Sequence, residues 1–287
     1  MNLPENQIGY QISPFTLFPL PRKDVGTVFS RTVNNITVTY SNHLGVLHTA
    51  LARRWLEILT TKAVKQKANS ANPRMVELHS VTQTLKDFGM ANNGNYIGSA
   101  VKIIKQIAAQ SIIVTHRSDP SGKLVKRLPL EQGQLCFLAH KYQLYWGSGN
   151  TKTTLPDLFD DQNFFEWSTE AWKYIENATP HDQRHAMQIS SSTEYDLYMW
   201  LVESLYSLKE KDKLIPWVWF YIQFGQAEGI LKPEQMKFIR KQVKTYLTRI
   251  KTKYYLNAKF RFTDEGVVLE KSPALIQPDN KHAGFLA

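Results

Sequence analysis

The sequence predicts an α+β protein made of two tandem winged-helix domains with short β-hairpin wings. Three observations predict it. One order of elements (amphipathic helix, short strand, short helix, longer helix, two-stranded hairpin) occurs twice. Its landmarks keep a constant offset. Phe88-Gly89 and Phe224-Gly225 are 136 residues apart, as are the long-helix starts Tyr96 and Lys232. Basic residues fall on the long helix and hairpin of both copies.

In the first copy, Leu51, Trp55, Ile58, Leu59 and Ala63 keep the i, i+4, i+7, i+8, i+12 spacing of one helix face over 51–67. Met75–His79 alternates as a strand does. Ser80 suits the N-cap of a short helix over 81–88, and Gly89 its left-handed stop. After the turn Asn92-Asn93-Gly94-Asn95, a helix from Tyr96 to Gln110 turns Ile97, Val101, Ile104, Ile107 and Ala108 inward. A strand over 111–116, the turn Asp119-Pro120-Ser121-Gly122 and a return strand from Lys123 complete the copy.

In the second copy, Leu197, Trp200, Leu201, Leu205 and Leu208 define a helix over 193–208. Leu214-Ile215 is a short strand. Pro216 suits the first turn of a helix that ends at Phe224. A long helix follows from Pro233 to about Lys251, with Ile239, Val243, Tyr246, Leu247 and Ile250 inward. Strands over 256–262 and 267–271 flank the turn Thr263–Gly266. The domains read as 29–150 and 191–274. Residues 1–28, with Pro4, Pro14, Pro19 and Pro21, read as a flexible arm. Residues 151–190 read as an acidic connector carrying the apolar Phe164, Phe165 and Trp167, and 275–287 as a loose tail. The arm or the tail could join a homodimer or bind a partner; the sequence leaves that open.

Charge points to the partner. The 287 residues hold 35 Lys and Arg against 25 Asp and Glu, a net +10. Such an excess favours an anionic partner. It is also uneven. Residues 232–261 hold ten basic residues against Glu234 alone, and 97–127 hold six against Asp119. Residues 151–196 are acidic, nine to three. In a winged helix the second helix of the helix-turn-helix enters the DNA major groove and the hairpin flanks it. The candidate contacts on the helices are therefore Lys102, Lys105, Lys237, Arg240, Lys241, Lys244 and Lys251. On the hairpins they are Arg117, Lys123, Lys126, Arg127, Lys259 and Arg261. These would neutralise phosphates, while Asn95, Ser99, Gln106, Gln235 and Gln242 could read base edges.

Other chemistry finds little support. Hydrophobic residues at 43% exclude a disordered chain. A single cysteine, Cys136, excludes an internal disulfide and a thiolate-rich metal site. It lies in the apolar run Leu135–Leu138, as a core thiol would. The start of the chain lacks a signal-peptide pattern, and no run approaches the ~20 apolar residues of a membrane span. A cytoplasmic protein without membrane contact is expected. There is no GxxxxGK[ST] phosphate loop and no His-hydrophobic-His pair for a relaxase metal. His181 and His185 have i, i+4 spacing, but Pro180 and polar neighbours favour a loop or helix start. Asp157, Asp160 and Asp161 lie in a turn-rich stretch without a partner His or Lys. Trp217, Trp219 and Tyr221 could stack single-stranded bases, but beside Phe220 and Phe224 they read as core. No catalytic residue, metal or cofactor is expected.

The chain resembles plasmid-encoded RepA-type replication initiators from about Leu17 to Ile276. The resemblance rests on Phe18-Pro19, on Phe29–Thr32 leading to Ile36–Thr39, on Leu44–Leu47 and on Trp55–Val64. Its most telling part is Asp196–Leu201, Leu205–Leu208, Ile215-Pro216-Trp217 and Gln223-Phe224-Gly225, closed by Glu270–Pro273. The resemblance implies sequence-specific binding of double-stranded plasmid origin DNA, often at repeated sites, and opening of that origin. It also implies bacterial host partners, an initiator and a replicative helicase. A winged-helix repressor, a DNA-nicking enzyme and a protein binding acidic partners are the alternatives.

Overall fold

A computed structural model of the chain describes residues 3–33, 36–67, 70–78, 83–84, 86, 94–117, 131–144, 163–208, 211–225 and 233–276. The chain is α+β, with several small antiparallel sheets around two hydrophobic cores.

The first core is organised by helix α2 (Ala50–Gln66), capped by the Thr49 hydroxyl, which accepts from the Ala52 N–H at 3.0 Å. Trp55, Leu56, Ile58, Leu59 and Ala63 are buried on it. So are Arg53, Glu57, Thr60 and Thr61, because α2 is covered on several sides. Strands β2 (Val28–Val33) and β3 (Ile36–Ser41) form a hairpin. β3 pairs with β5 (Ser111–Arg117), and β5 with β6 (Glu131–Phe137), giving a sheet ordered β2-β3-β5-β6. Helix α3 (Gly94–Ala109) packs on α2 through Ala100, Ile103, Ile104 and Ile107. The expected turn 119–122 and the start of the return strand lie outside the described residues, as does most of the expected helix 81–88.

The N-terminal segment differs from the flexible arm expected for it. Strand β1 (Ile8–Gln11) pairs with β9 (Thr179–Asp182). Helix α1 (Ser13–Leu17) starts with Pro14 in its first turn, where the missing N–H is harmless. Ile12, Phe15 and Leu20 are buried. Prolines signalled an arm, but the apolar residues between them fill the seam between the cores.

The segment expected as a connector also carries structure. Strand β8 (Asn163–Trp167) is the middle of a sheet ordered β4-β8-β7, with β4 (Met75–Leu78) and β7 (Ala139–Gln143). Phe165 and Trp167 are buried, and Glu166 between them pairs with Arg74 at 3.3 Å and Lys141 at 3.5 Å. Burial of two aromatics outweighs the acidic composition that marked this stretch. Helices α4 (Thr169–Ile175) and α5 (Gln183–Gln188) flank β9.

The second core follows the expected order. Helix α6 (Ser192–Tyr206) is capped by Ser191. Strand β10 (Lys213–Pro216), helix α7 (Trp217–Phe224) and helix α8 (Pro233–Lys253) come next. The hairpin is β11 (Phe260–Phe262) and β12 (Gly266–Leu269), in the order β10-β12-β11. β11 is shorter than the expected 256–262, because a turn closed by the Ala258 N–H on the Tyr255 carbonyl at 3.0 Å follows the helix end. In the first half, by contrast, the hairpin pairs with β2–β3, and β4 pairs with β8.

The cores meet across α2 and α6. The Glu57 carboxylate, 1% exposed, accepts from Tyr195 OH at 2.8 Å and lies 2.9 Å from His181 Nε2 and 3.3 Å from Arg54. Burial alone would raise its pKa. The His181 ring, followed by Arg54 and Tyr195, outweighs burial and holds the carboxyl below its ordinary value. A Cβ on Gly9 would stand 2.6 Å from His181 Nε2, so β1 needs glycine there. Arg31 of β2 reaches across to the carbonyls of Pro19 and of Ile222 in α7.

Candidate nucleic-acid interface

Helix α8 carries seven basic residues against Glu234. Ile239, Val243, Leu247 and Ile250 are buried against α6 and α7. At 3.6 residues per turn, the opposite face then presents Glu234, Lys237, Phe238, Lys241, Thr245, Thr248 and Thr252, and all seven are exposed. Sequence reasoning sought charges and amides, so it found Lys237 and Lys241 but not Phe238 or the threonines. Stepping by three and four residues from Lys241 would have found them.

Three other candidate bases of α8 lie along one flank, in the notch beside the hairpin. Arg240 sits 5.1 Å from the Trp217 ring centre and bonds Asp264 at 3.0 Å and the Thr263 carbonyl at 3.3 Å. Lys244 Nζ lies 5.6 Å from the Trp217 ring and 5.5 Å from that of Phe262. Lys251 lies 5.2 Å from Phe260. Each cation–π contact contributes about 0.5–1 kcal/mol at a wet site. On the other flank Arg249 is bidentate to Glu194 of α6 and anchors the helix. Gln235 accepts from Tyr221 OH at 2.5 Å, so its carbonyl oxygen is engaged.

On the hairpin, Lys259 and Arg261 are exposed. Arg261 lies 3.3 Å from Glu270 and 4.0 Å from Asp212. Exposed pairs of this kind contribute little and exchange readily for a phosphate. The turn itself holds the exposed Asp264 and Glu265, so the positive charge sits on the strand rather than at the tip.

On α3 the exposed face is Gly98, Ser99, Lys102 and Lys105. Gln106 is engaged elsewhere: its Nε2 donates to the carbonyls of Leu44 at 3.1 Å and Gly45 at 3.4 Å. Gly45 has φ +92°, a left-handed turn that glycine adopts freely. Asn95 lies in the first turn of α3 and Arg117 ends β5; their side chains lie outside the described set. So do Lys123, Lys126 and Arg127, and so do Asp157, Asp160 and Asp161.

The remaining candidates are buried or paired. Trp217 and Tyr221 are 6% and 3% exposed, with Trp219 partly buried beside them. His181 is committed to Glu57, and His185 stands 3.5 Å from Asp182. The Cys136 thiol is pushed up to about 12 by burial, so it is inert. Among the described residues no helix is long and apolar enough to cross a membrane.

No protein-family profile and no curated protein matches the chain. Its fold is similar to a crystal structure of domains 2 and 3 of RctB, with a TM-score of 0.50 and 10% identity over 83% of this chain and 84% of that one. A second crystal structure of the same RctB domains gives a TM-score of 0.44 and 11% identity, over 89% and 94%. At such identity, what this α+β chain shares with domains 2 and 3 of RctB is its fold.

Proposed function

We propose that the protein is a replication initiator that binds double-stranded origin DNA sequence-specifically, through two winged-helix units, and acts by binding energy without chemical catalysis. The units are 29–150 and 191–274, with α3 and α8 as recognition helices and the hairpins β5–β6 and β11–β12 as wings. The likeness to RctB, a replication initiator of a Vibrio chromosome, supports this at the level of kind. The resemblance to plasmid initiators supports a plasmid origin as the target and host replication proteins as partners.

The observation that carries the reading is the face of α8. Lys237 and Lys241 stand among side chains that, Glu234 at the helix start apart, are uncharged and can meet base edges, and a row of bases fills the notch toward the hairpin. Phosphate contacts would set the register, and the threonines and Phe238 would read sequence.

The test is binding of purified protein to the DNA flanking its own gene, against a shuffled control at ~0.15 M salt. The expected preference is roughly 10³ or more. Equal binding to both DNAs would overturn the reading. Supercoiled DNA carrying the site should stay uncut with Mg²⁺ present; nicking would show catalysis instead.

A further inference from the structure

Phe238 is 62% exposed and is the sixth residue of α8. It takes no part in the core, since Ile239, Val243, Leu247 and Ile250 bury the other side of the helix. It lies on the exposed side of the helix, one turn after Glu234 and one turn before Lys241, with Lys237 and the threonines on the same side. One side of the ring borders a cleft shared with Arg22, Tyr221, Glu234 and Gln235. The side chain is therefore supported but not covered.

A lone exposed apolar residue is ordinary. Its setting here is not. In a recognition helix the N-terminal residues meet base edges in the major groove. Lys237 and Lys241 on the same side of the helix would bring it close to the duplex. Among the major-groove edges of the four bases, only thymine offers an apolar group, its C5-methyl. An aromatic ring pressed against any other edge would bury donors and acceptors without a partner.

We propose that Phe238 is a specificity-determining residue, its ring packing against the C5-methyl of a thymine in the bound site. The proposal rests on the interface reading above and adds the base and the group recognised.

The test replaces each thymine of the protected site by deoxyuridine, one at a time, which removes only the methyl. The wild type should lose about three- to tenfold in affinity at one or two positions, the scale of one buried methyl group. Phe238→Ala should bind the thymine and deoxyuridine forms of those positions equally. Its thermal midpoint should stay close to wild type, because the ring is exposed. Lys237→Ala, as a control, should weaken all DNAs alike and keep the thymine preference. If deoxyuridine is neutral at every position of a specific site, Phe238 does not read thymine and the interface reading stands. A thymine preference that persists in Phe238→Ala assigns the methyl to another residue. If the wild type has no specific site, the interface reading fails and this proposal with it.

Discussion

Arg53 of α2 and Asp196 of α6, 143 residues apart, form a bidentate ion pair in the seam between the cores, at 2.7 Å and 2.9 Å. Both side chains are 4% exposed. The other Arg53 donors go to the carbonyls of His48 at 2.9 Å, Thr49 at 3.2 Å, Leu20 at 2.7 Å and Pro21 at 3.3 Å. One guanidinium thus ties two helices and the N-terminal segment together. Since α3 packs on α2 and α8 on α6, this pair is a link between the two candidate recognition helices. Removing one partner leaves a buried charge alone. Arg53→Met should cost about 3–5 kcal/mol in chemical denaturation, and Arg53→Met with Asp196→Leu should recover most of it.

Glu203 of α6 is the opposite case. It is 4% exposed, and its Oε2 has no hydrogen-bond partner among the described residues. Burial pushes its pKa up to about 7, against a smaller opposing effect of the Ser13 hydroxyl. A carboxyl raised from 4.5 to about 7 on folding makes the fold less stable as pH rises through that window. Glu203→Gln should therefore raise stability relative to wild type by about 1–3 kcal/mol at pH 8, and by little at pH 5. Thermal midpoints at the two pH values check this.

Lys241→Ala should weaken binding to every DNA and reduce the slope of log affinity against log salt by about one. Thr248→Val should instead change the preference among sequences and leave that slope unchanged. Titrations at four salt concentrations separate the two.

Gln106→Ala tests which role that residue has. Its amide holds the 44–45 turn, so the variant should lose about 1 kcal/mol of stability in denaturation and keep the wild-type salt slope. A changed base preference with unchanged stability would make it a reader.

Much of the second half was legible, because its elements are local. The period of Ile239, Val243 and Leu247 gave α8, and Pro216 with Phe224-Gly225 bounded α7. The first half was less legible, because its sheets join distant strands. Nothing local in Met75–Leu78 says that it pairs with Asn163–Trp167, and nothing in Ile8–Gln11 names Thr179–Asp182 as its partner. Composition misled twice, where prolines read as an arm and acids as a connector. At the candidate interface, charge counting found Lys237 and Lys241. It also picked out Arg240, Lys244 and Lys251, which lie over aromatic rings, and it passed over Phe238.

The most direct test places a probe on α8. Cys136 is the one cysteine of the chain and is buried, so Lys253→Cys, at a position outside the candidate contacts, gives a single accessible thiol at the end of α8. A DNA-cleaving chelate attached there should cut the flanking DNA of the gene within a few base pairs of one position, in a pattern centred on a major groove. Cleavage spread evenly along the duplex, or confined to DNA away from the protected site, would contradict α8 as the recognition element.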